Sequence, residues 1–269
     1  MCEIVYLRFV KEKEAKEKKN LIKKIANDIY NRNPHGIGCL IERNKIVKAI
    51  DINEFIQKID KELLKNANEF VLHARLATSG LINEKNTQPI KVGNVIVIHN
   101  GMFSEVDGVR DFGICNIHRE MGLEKEKSDT FVFTEKLNEY KKNYNSLSTA
   151  LKTLLEKTAG SLLLFVSDGS ELLYVKHKRN FDFKYVKDID LIVGATDINR
   201  ILYLLKPKKK IMGFEFVSEF EDVGNFELEE NRLYYVNGLI NAGEKVMIGK
   251  KVKKRNIGRF KFGGSYGYY

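Results

Sequence analysis

A cysteine stands second in the chain, in Met1-Cys2-Glu3-Ile4, and the run Cys2-Glu3-Ile4-Val5-Tyr6-Leu7-Arg8-Phe9 follows from it without a break. Its β-rich composition and rough alternation predict a strand, so a reactive residue is tied to the end of a sheet. A small residue behind Met1 permits removal of the methionine, which would leave Cys2 as the mature N-terminus. One Cα then carries a thiol titrating near about 8.5 and an α-amine near about 7.7–8.0, and at neutral pH one can act as base for the other. The plain alternative is a cysteine that happens to begin a buried strand. The partners supplied by the rest of the chain decide between them.

Periodicity predicts the further elements. Residues 11–31 read as a charged helix with Leu21, Ile22, Ile25 and Ile29 on one face. The mixed charges of Lys11-Glu12-Lys13-Glu14 and Lys16-Glu17-Lys18-Lys19 read as its solvated side. Pro34 and Gly36 break it. Strands are expected over 38–42, with Cys39 a small core residue, over 46–50 after a turn at Asn44-Lys45, and over 69–74. A helix is expected over 53–66. The apolar strand 92–99 ends in Asn100-Gly101, and a polar connection runs to Lys127. Helices follow over 130–143, 146–157 and 197–205, with strands over 161–167, 172–177, 191–195, 214–220 and 233–236. Layers of strands and helices without regular βαβ alternation argue for a largely antiparallel α+β architecture.

With 269 residues, 43% hydrophobic and 30% charged, the chain has material for a substantial core. The first residues lack the pattern of a secretory signal, and no apolar run approaches the roughly 18–20 residues of a membrane span. Three widely spaced cysteines, an odd number, make no disulfide framework, so a reducing, cytoplasmic setting is expected. The net charge of +10 concentrates in residues 245–261, which could meet a polyanion such as nucleic acid. Residues 249–269, basic and rich in Gly and Tyr, read as a tail distinct from a domain spanning 1–248.

Four separated segments can be read as one site. Cys2 is the nucleophile. The segment His73-Ala74-Arg75-Leu76-Ala77-Thr78-Ser79-Gly80 sets an arginine at the exit of a buried strand, where a guanidinium can take a carboxylate in bidentate fashion. His99-Asn100-Gly101 offers an amide NH₂ and a glycine N–H, the donor pair an acyl-transfer oxyanion requires. Ser128-Asp129-Thr130 opens a helix that Asp129 would cap, its carboxylate also suited to an ammonium. Taken singly, each has a structural alternative: Arg75 in a surface ion pair, Asn100-Gly101 as a hairpin turn, Asp129 as an N-cap, His73 and His99 as core histidines.

In combination they resemble the class II, N-terminal-cysteine glutamine amidotransferase domain, which shows a leading Cys, H-x-R-x-A-T-x-G, N-x-x-P, H-N-G and S-D-T. These appear in the same order as Cys2, residues 73–80, 86–89, 99–101 and 128–130. Arg32 with Pro34, Gly36 and Gly38 is similar to the family's R-G-x-x-x-x-G turn. The resemblance covers about residues 2–240. It implies a four-layer αββα sandwich of the Ntn-hydrolase type with two mainly antiparallel sheets. It also implies that Cys2 attacks the side-chain amide of L-glutamine, Asn100 and Gly101 stabilise the oxyanion, Arg75 and Thr78 hold the α-carboxylate, and Asp129 holds the α-amino group. Ammonia would be released, or passed to a separate synthase subunit.

There are departures. The common Cys-Gly-Ile is Cys2-Glu3-Ile4, as in stand-alone members associated with γ-glutamyl amides, so a γ-glutamyl amide hydrolase is the alternative enzyme. Leu76 stands where an aromatic is common, and Ser79 where a histidine follows Thr. Too little chain follows residue 240 for a synthase module, so a stand-alone domain is expected. Cys115-x-x-His118 is half a metal spacing with no second pair, and no phosphate-binding glycine motif occurs, so neither metal nor cofactor is expected. A third reading is a fold that has lost turnover and binds through its basic tail.

Overall fold

The computed structural model describes residues 2–110, 112, 126–206 and 228–236, with the backbone of strand residues 208–211, 214–217, 223–226, 237, 239–240 and 244–245. Met1, the Cys115-x-x-His118 spacing, the tail 249–269 and nearly all of the basic patch lie outside the described residues.

In chain order the elements are β1 (Glu3–Phe9), α1 (Ala15–Arg32), β2 (Ile37–Ile41), β3 (Lys45–Ala49), α2 (Ile52–Lys58), α3 (Lys61–Lys65), β4 (Glu69–Ala74), β5 (Ile90–Val92) and β6 (Val95–Val106). Then come α4 (Asp129–Asn143), α5 (Leu147–Leu155), β7 (Thr158–Ser167), β8 (Leu172–His177), β9 (Asp182–Val186), a 3₁₀ turn (Lys187–Ile189), β10 (Leu191–Ala195) and α6 (Ile198–Leu205). Last are β11 (Lys208–Ile211), β12 (Phe214–Val217), β13 (Val223–Phe226), β14 (Arg232–Asn237), β15 (Leu239–Ile240) and β16 (Glu244–Lys245).

Among the described residues they form two sheets, β13-β9-β10-β1-β4-β2-β3 and β15-β14-β8-β7-β6-β5 with β16 also on β14, and a β11-β12 hairpin. The central pairings are antiparallel, β1 lying between β10 and β4.

Period-two alternation sorts each inner strand onto two cores. From β1, Val5, Leu7 and Phe9 join Ile22, Ile25 and Ile29 of α1, while Ile4 and Tyr6 join the core between the sheets. From β6, Val95 and Val97 pack with Phe133 and Leu137 of α4, while Ile96 and Ile98 point to the same inter-sheet core. That inner core centres on aromatic rings: Tyr6 stacks on Phe165 at 5.9 Å, and Phe181 and Phe183 meet edge-on at 4.9 Å. Three cores between four layers give the αββα sandwich expected from the resemblance. Fully burying each such side chain contributes about 1.5–3 kcal/mol.

Several local expectations are corrected. The helix expected over 53–66 is two, because the Asp60 carboxylate accepts from Leu63 N–H at 2.8 Å and starts α3 afresh. The strand 92–99 is in fact β5, a turn at Gly93-Asn94, and a long β6 that runs through Asn100-Gly101, so that pair is no hairpin turn. A bulge between Phe103 and Glu105 then lets both Phe103 and Val106 face α4. β9 was not anticipated. Lys18 is no solvated-face residue: it is fully buried, its Nζ donating to the Leu64 and Lys65 carbonyls at 3.3 and 3.4 Å at the C-terminus of α3.

Candidate active site

Strand register brings Cys2 to its neighbours. Glu3 lies opposite Ala74 and Ile4 opposite His73, so Cys2, one step earlier, comes against Arg75 and Leu76. Cys2 shares the parity of Ile4 and Tyr6, and Asn100 that of Ile96 and Ile98, so both belong to the inner faces of their sheets. They meet at one end of the sandwich, where Asn100 Nδ2 donates to the Cys2 carbonyl at 2.7 Å. Leu76 N–H donates to Cys2 Sγ at 3.2 Å. Burial raises the Cys2 thiol above its ordinary range; the Leu76 N–H and the Arg75 charge pull it down, and Asp129 adds a smaller upward push. A thiol held up in this way is protonated at neutral pH and needs a base to attack.

A small pocket opens beside the sulfur, lined among others by Cys2, Arg75, Thr78, Gly101 and Asp129. Five of the six residues read from the sequence thus share one cavity, and the sixth, Asn100, is bonded to the Cys2 carbonyl.

Arg75 is not a surface ion-pair residue. It is 3% exposed, and its guanidinium donates to the Leu81 carbonyl at 2.9 Å, Ser79 at 2.6 Å and Gly80 at 3.2 Å, holding the loop that follows its own strand. Thr78 is exposed at the mouth. Gly101 has φ +154°, and a Cβ there would lie 2.0 Å from the Ser161 carbonyl oxygen, so this position admits only glycine.

At the start of α4 the cap is Ser128, whose hydroxyl accepts from Phe131 N–H at 3.2 Å; Asp129 is the first helical residue, not the cap. Its carboxylate accepts from Thr130 N–H at 2.7 Å, Ser79 Oγ at 3.0 Å and Phe103 N–H at 3.1 Å. The anion is further favoured by the helix N-terminus.

Sequence reasoning missed the support behind these groups. Ser79, flagged only as a departure, bonds the Asp129 carboxylate and also accepts from Asp129 N–H at 3.2 Å. Gln88 Oε1 accepts from His99 N–H at 2.5 Å, and His99 Nδ1 meets Thr130 Oγ1 at 3.0 Å while its ring stacks on Phe103 at 4.1 Å. Asn86 staples the loop to the helix: its Oδ1 accepts from Ser128 N–H at 2.9 Å and its Nδ2 donates to the Glu126 carbonyl at 2.7 Å. His73 and His99 are core histidines, both buried. Burial, with the charge of Arg75, holds His73 down to about 3, and burial likewise lowers His99. Among the described residues no His, Cys, Asp and Glu group could hold a metal, and no helix is long and apolar enough to cross a membrane.

Helices covering two antiparallel sheets, with a cysteine at the head of a central strand and its sulfur at the open end of the inter-sheet space, are the architecture of the N-terminal-nucleophile hydrolases. No protein-family model matches the chain. It is 28% identical over 236 residues, 84% of its length, to glutamine–fructose-6-phosphate aminotransferase (isomerizing) of Buchnera aphidicola subsp. Acyrthosiphon pisum, covering 36% of that protein. The Baizongia pistaciae counterpart is 24% identical and is covered over 22% of its length, so the chain spans about a third or less of the curated relatives it matches. Among solved structures, glutamine phosphoribosylpyrophosphate amidotransferase from B. subtilis superposes with a TM-score of 0.58 at 15% identity, over 91% of this chain and 49% of that one, a likeness of fold. These likenesses agree with the resemblance of the chain's motifs to the class II glutamine amidotransferase domain.

Proposed function

We propose that this domain hydrolyses the side-chain amide of L-glutamine through a thioester on Cys2. Once Met1 is removed, the α-amine of Cys2 takes the thiol proton and the sulfur attacks Cδ. The Gly101 N–H and the second Nδ2 hydrogen of Asn100, beyond the one given to the Cys2 carbonyl, receive the developing oxyanion. The Cδ–N bond breaks, the nitrogen leaves as ammonia with the proton from the α-amine, and water releases glutamate. Arg75 and Thr78 face the α-carboxylate, and Asp129 the α-ammonium, the latter exchanging one of its hydroxyl donors for the substrate. The ammonia goes to solvent or to a separate synthase.

The observation that carries this reading is the single pocket uniting Cys2, Arg75, Gly101 and Asp129. Intact mass before and after a diazo-oxo-norleucine electrophile tests it. One adduct on Cys2 of a protein lacking Met1, together with glutamate release from glutamine, is the expected result. An unlabelled Cys2 in the processed protein would refute it.

A further inference from the structure

Cys2 stands between two spaces. The small pocket lies on one flank, and on the other a larger outer cavity is lined by Glu3, Arg32, Asn100, Lys178 and Asp197 among others. Cys2 is part of the partition between them, so the direction of its sulfur depends on what holds it. The backbone of Leu76 does so from both ends: its N–H donates to Sγ at 3.2 Å, and the thiol donates to its carbonyl at 3.4 Å.

Those two groups belong to consecutive peptide units, Arg75–Leu76 and Leu76–Ala77. In a trans peptide the C=O and N–H share one plane and point opposite ways, so pinning one end of the unit aims the other. One residue pins both far ends. His35 N–H donates to the Arg75 carbonyl at 3.0 Å, and His35 Nδ1 accepts from Ala77 N–H at 2.9 Å. Half-buried in the turn between α1 and β2, His35 grips the back of each peptide whose front meets the sulfur. The turn is itself fixed. Asn33 N–H closes α1 on the Ile29 and Tyr30 carbonyls at 3.1 and 3.0 Å, and the Gly36 carbonyl accepts from Arg75 N–H at 2.8 Å. Gly36 has φ +130°, and a Cβ there would lie 2.3 Å from Thr87 Oγ1.

Burial raises the Cys2 thiol, and the Leu76 N–H is the strongest of the influences that pull it back down. We propose that His35 is a positioning residue for the sulfur: by fixing the two peptides around Leu76 it keeps an N–H aimed at Sγ, where it stabilises the thiolate that attacks Cδ. This rests on the glutaminase reading of Cys2. Among the described residues lining either space His35 is absent, so it acts through Leu76. The grip on Ala77 needs an acceptor at the reach of Nδ1. Asn sets its Oδ1 there, Leu offers none, and Gln carries its oxygen one bond further out.

The test compares His35→Leu, His35→Gln and His35→Asn with the wild type, all lacking Met1. Iodoacetamide needs no glutamine pocket and reads the sulfur alone. Its rate with Cys2 at pH 7, followed on the mass of the N-terminal peptide, should fall about tenfold in the Leu and Gln variants, as for a thiol titrating about one pH unit higher. The kcat/KM for glutamine should fall by the same factor, while inhibition by glutamate, which reads the pocket, stays within about twofold. His35→Asn should restore both rates, which a purely space-filling role for the ring would not predict. Unchanged alkylation in the Leu and Gln variants, an Asn variant as slow as they are, or glutamate inhibition weakened as far as kcat/KM overturns the proposal and leaves the glutaminase reading standing. Should His35→Leu not fold, the Asn and Gln variants carry the same comparison. A wild-type protein that releases no glutamate and whose Cys2 resists the diazo-oxo-norleucine electrophile refutes the glutaminase reading, and this one with it.

Discussion

The two sides of Cys2 are built on opposite plans. The inner pocket is made of backbone N–H groups and short polar side chains, each fixed by a neighbour. Arg75 is held by three carbonyls, Asp129 by several donors, and Gly101 by a backbone approach that excludes a side chain. The outer cavity is walled by long charged side chains from a helix end and a connecting loop, with Lys178 in solvent. Buried, hydrogen-bonded charge is costly to disturb, at about 1–3 kcal/mol per orphaned partner, whereas exposed pairs are worth about 0–1 kcal/mol. One side is therefore rigidly held, and the other tolerates substitution with less danger to the fold.

The largest effect that would break this contrast is at the partition itself. Cys2→Ala should lower glutamate release by at least about 10⁴-fold with an unchanged melting curve; retained ammonia release would place the chemistry elsewhere. Asn100→Ala should cost on the order of 10²–10³ in kcat with a smaller change in KM, and steady-state kinetics would show it. Asp129→Asn sharpens the view of the inner side. An amide NH₂ would face donors, and we expect about 1–3 kcal/mol of lost stability in urea unfolding, with KM for glutamine raised.

A further effect is on pH. Unfolded, His73 binds a proton near about 6.5, whereas folded it does so only near about 3. Above about 6.5 it is neutral in both states. As pH falls from there toward 3, the unfolded state gains a proton that the fold refuses, and stability drops by up to about 1.4 kcal/mol per pH unit. Urea melts at pH 7, 5 and 4 should show the decline, and His73→Leu should flatten part of it. His99 adds to the remainder in the same direction.

Much of the fold could be read in advance because it follows from short periods. The strands at Leu172–His177 and Leu191–Ala195 lie where alternation and β-branched composition put them. Inner-site residues were legible because their types are chemically narrow: a cysteine beside a chain terminus, an arginine leaving an apolar strand, Asn-Gly after an apolar run. Where local rules failed, a longer-range contact had intervened. Asn-Gly reads as a turn in isolation, yet β7 pairs Asn100 with Leu163 and Gly101 with Leu162 and carries the strand onward. Asp129 reads as a cap, but its carboxylate turns back to Ser79 and Phe103, and Ser128 caps instead. Lys18 reads as surface until the carbonyls of α3 come to it.

What the sequence determined by itself was the layering and the cast of side chains. Burial follows the period of the chain, and reactivity follows the functional group. The tertiary structure alone decided who meets whom: Asn100 with a carbonyl 98 positions away, Ser79 with a carboxylate 50 positions away, and a charged cavity walled from α1, the β8–β9 connection and the start of α6. Such meetings depend on strand register and on which ends of two sheets close together, and no window of sequence contains both partners.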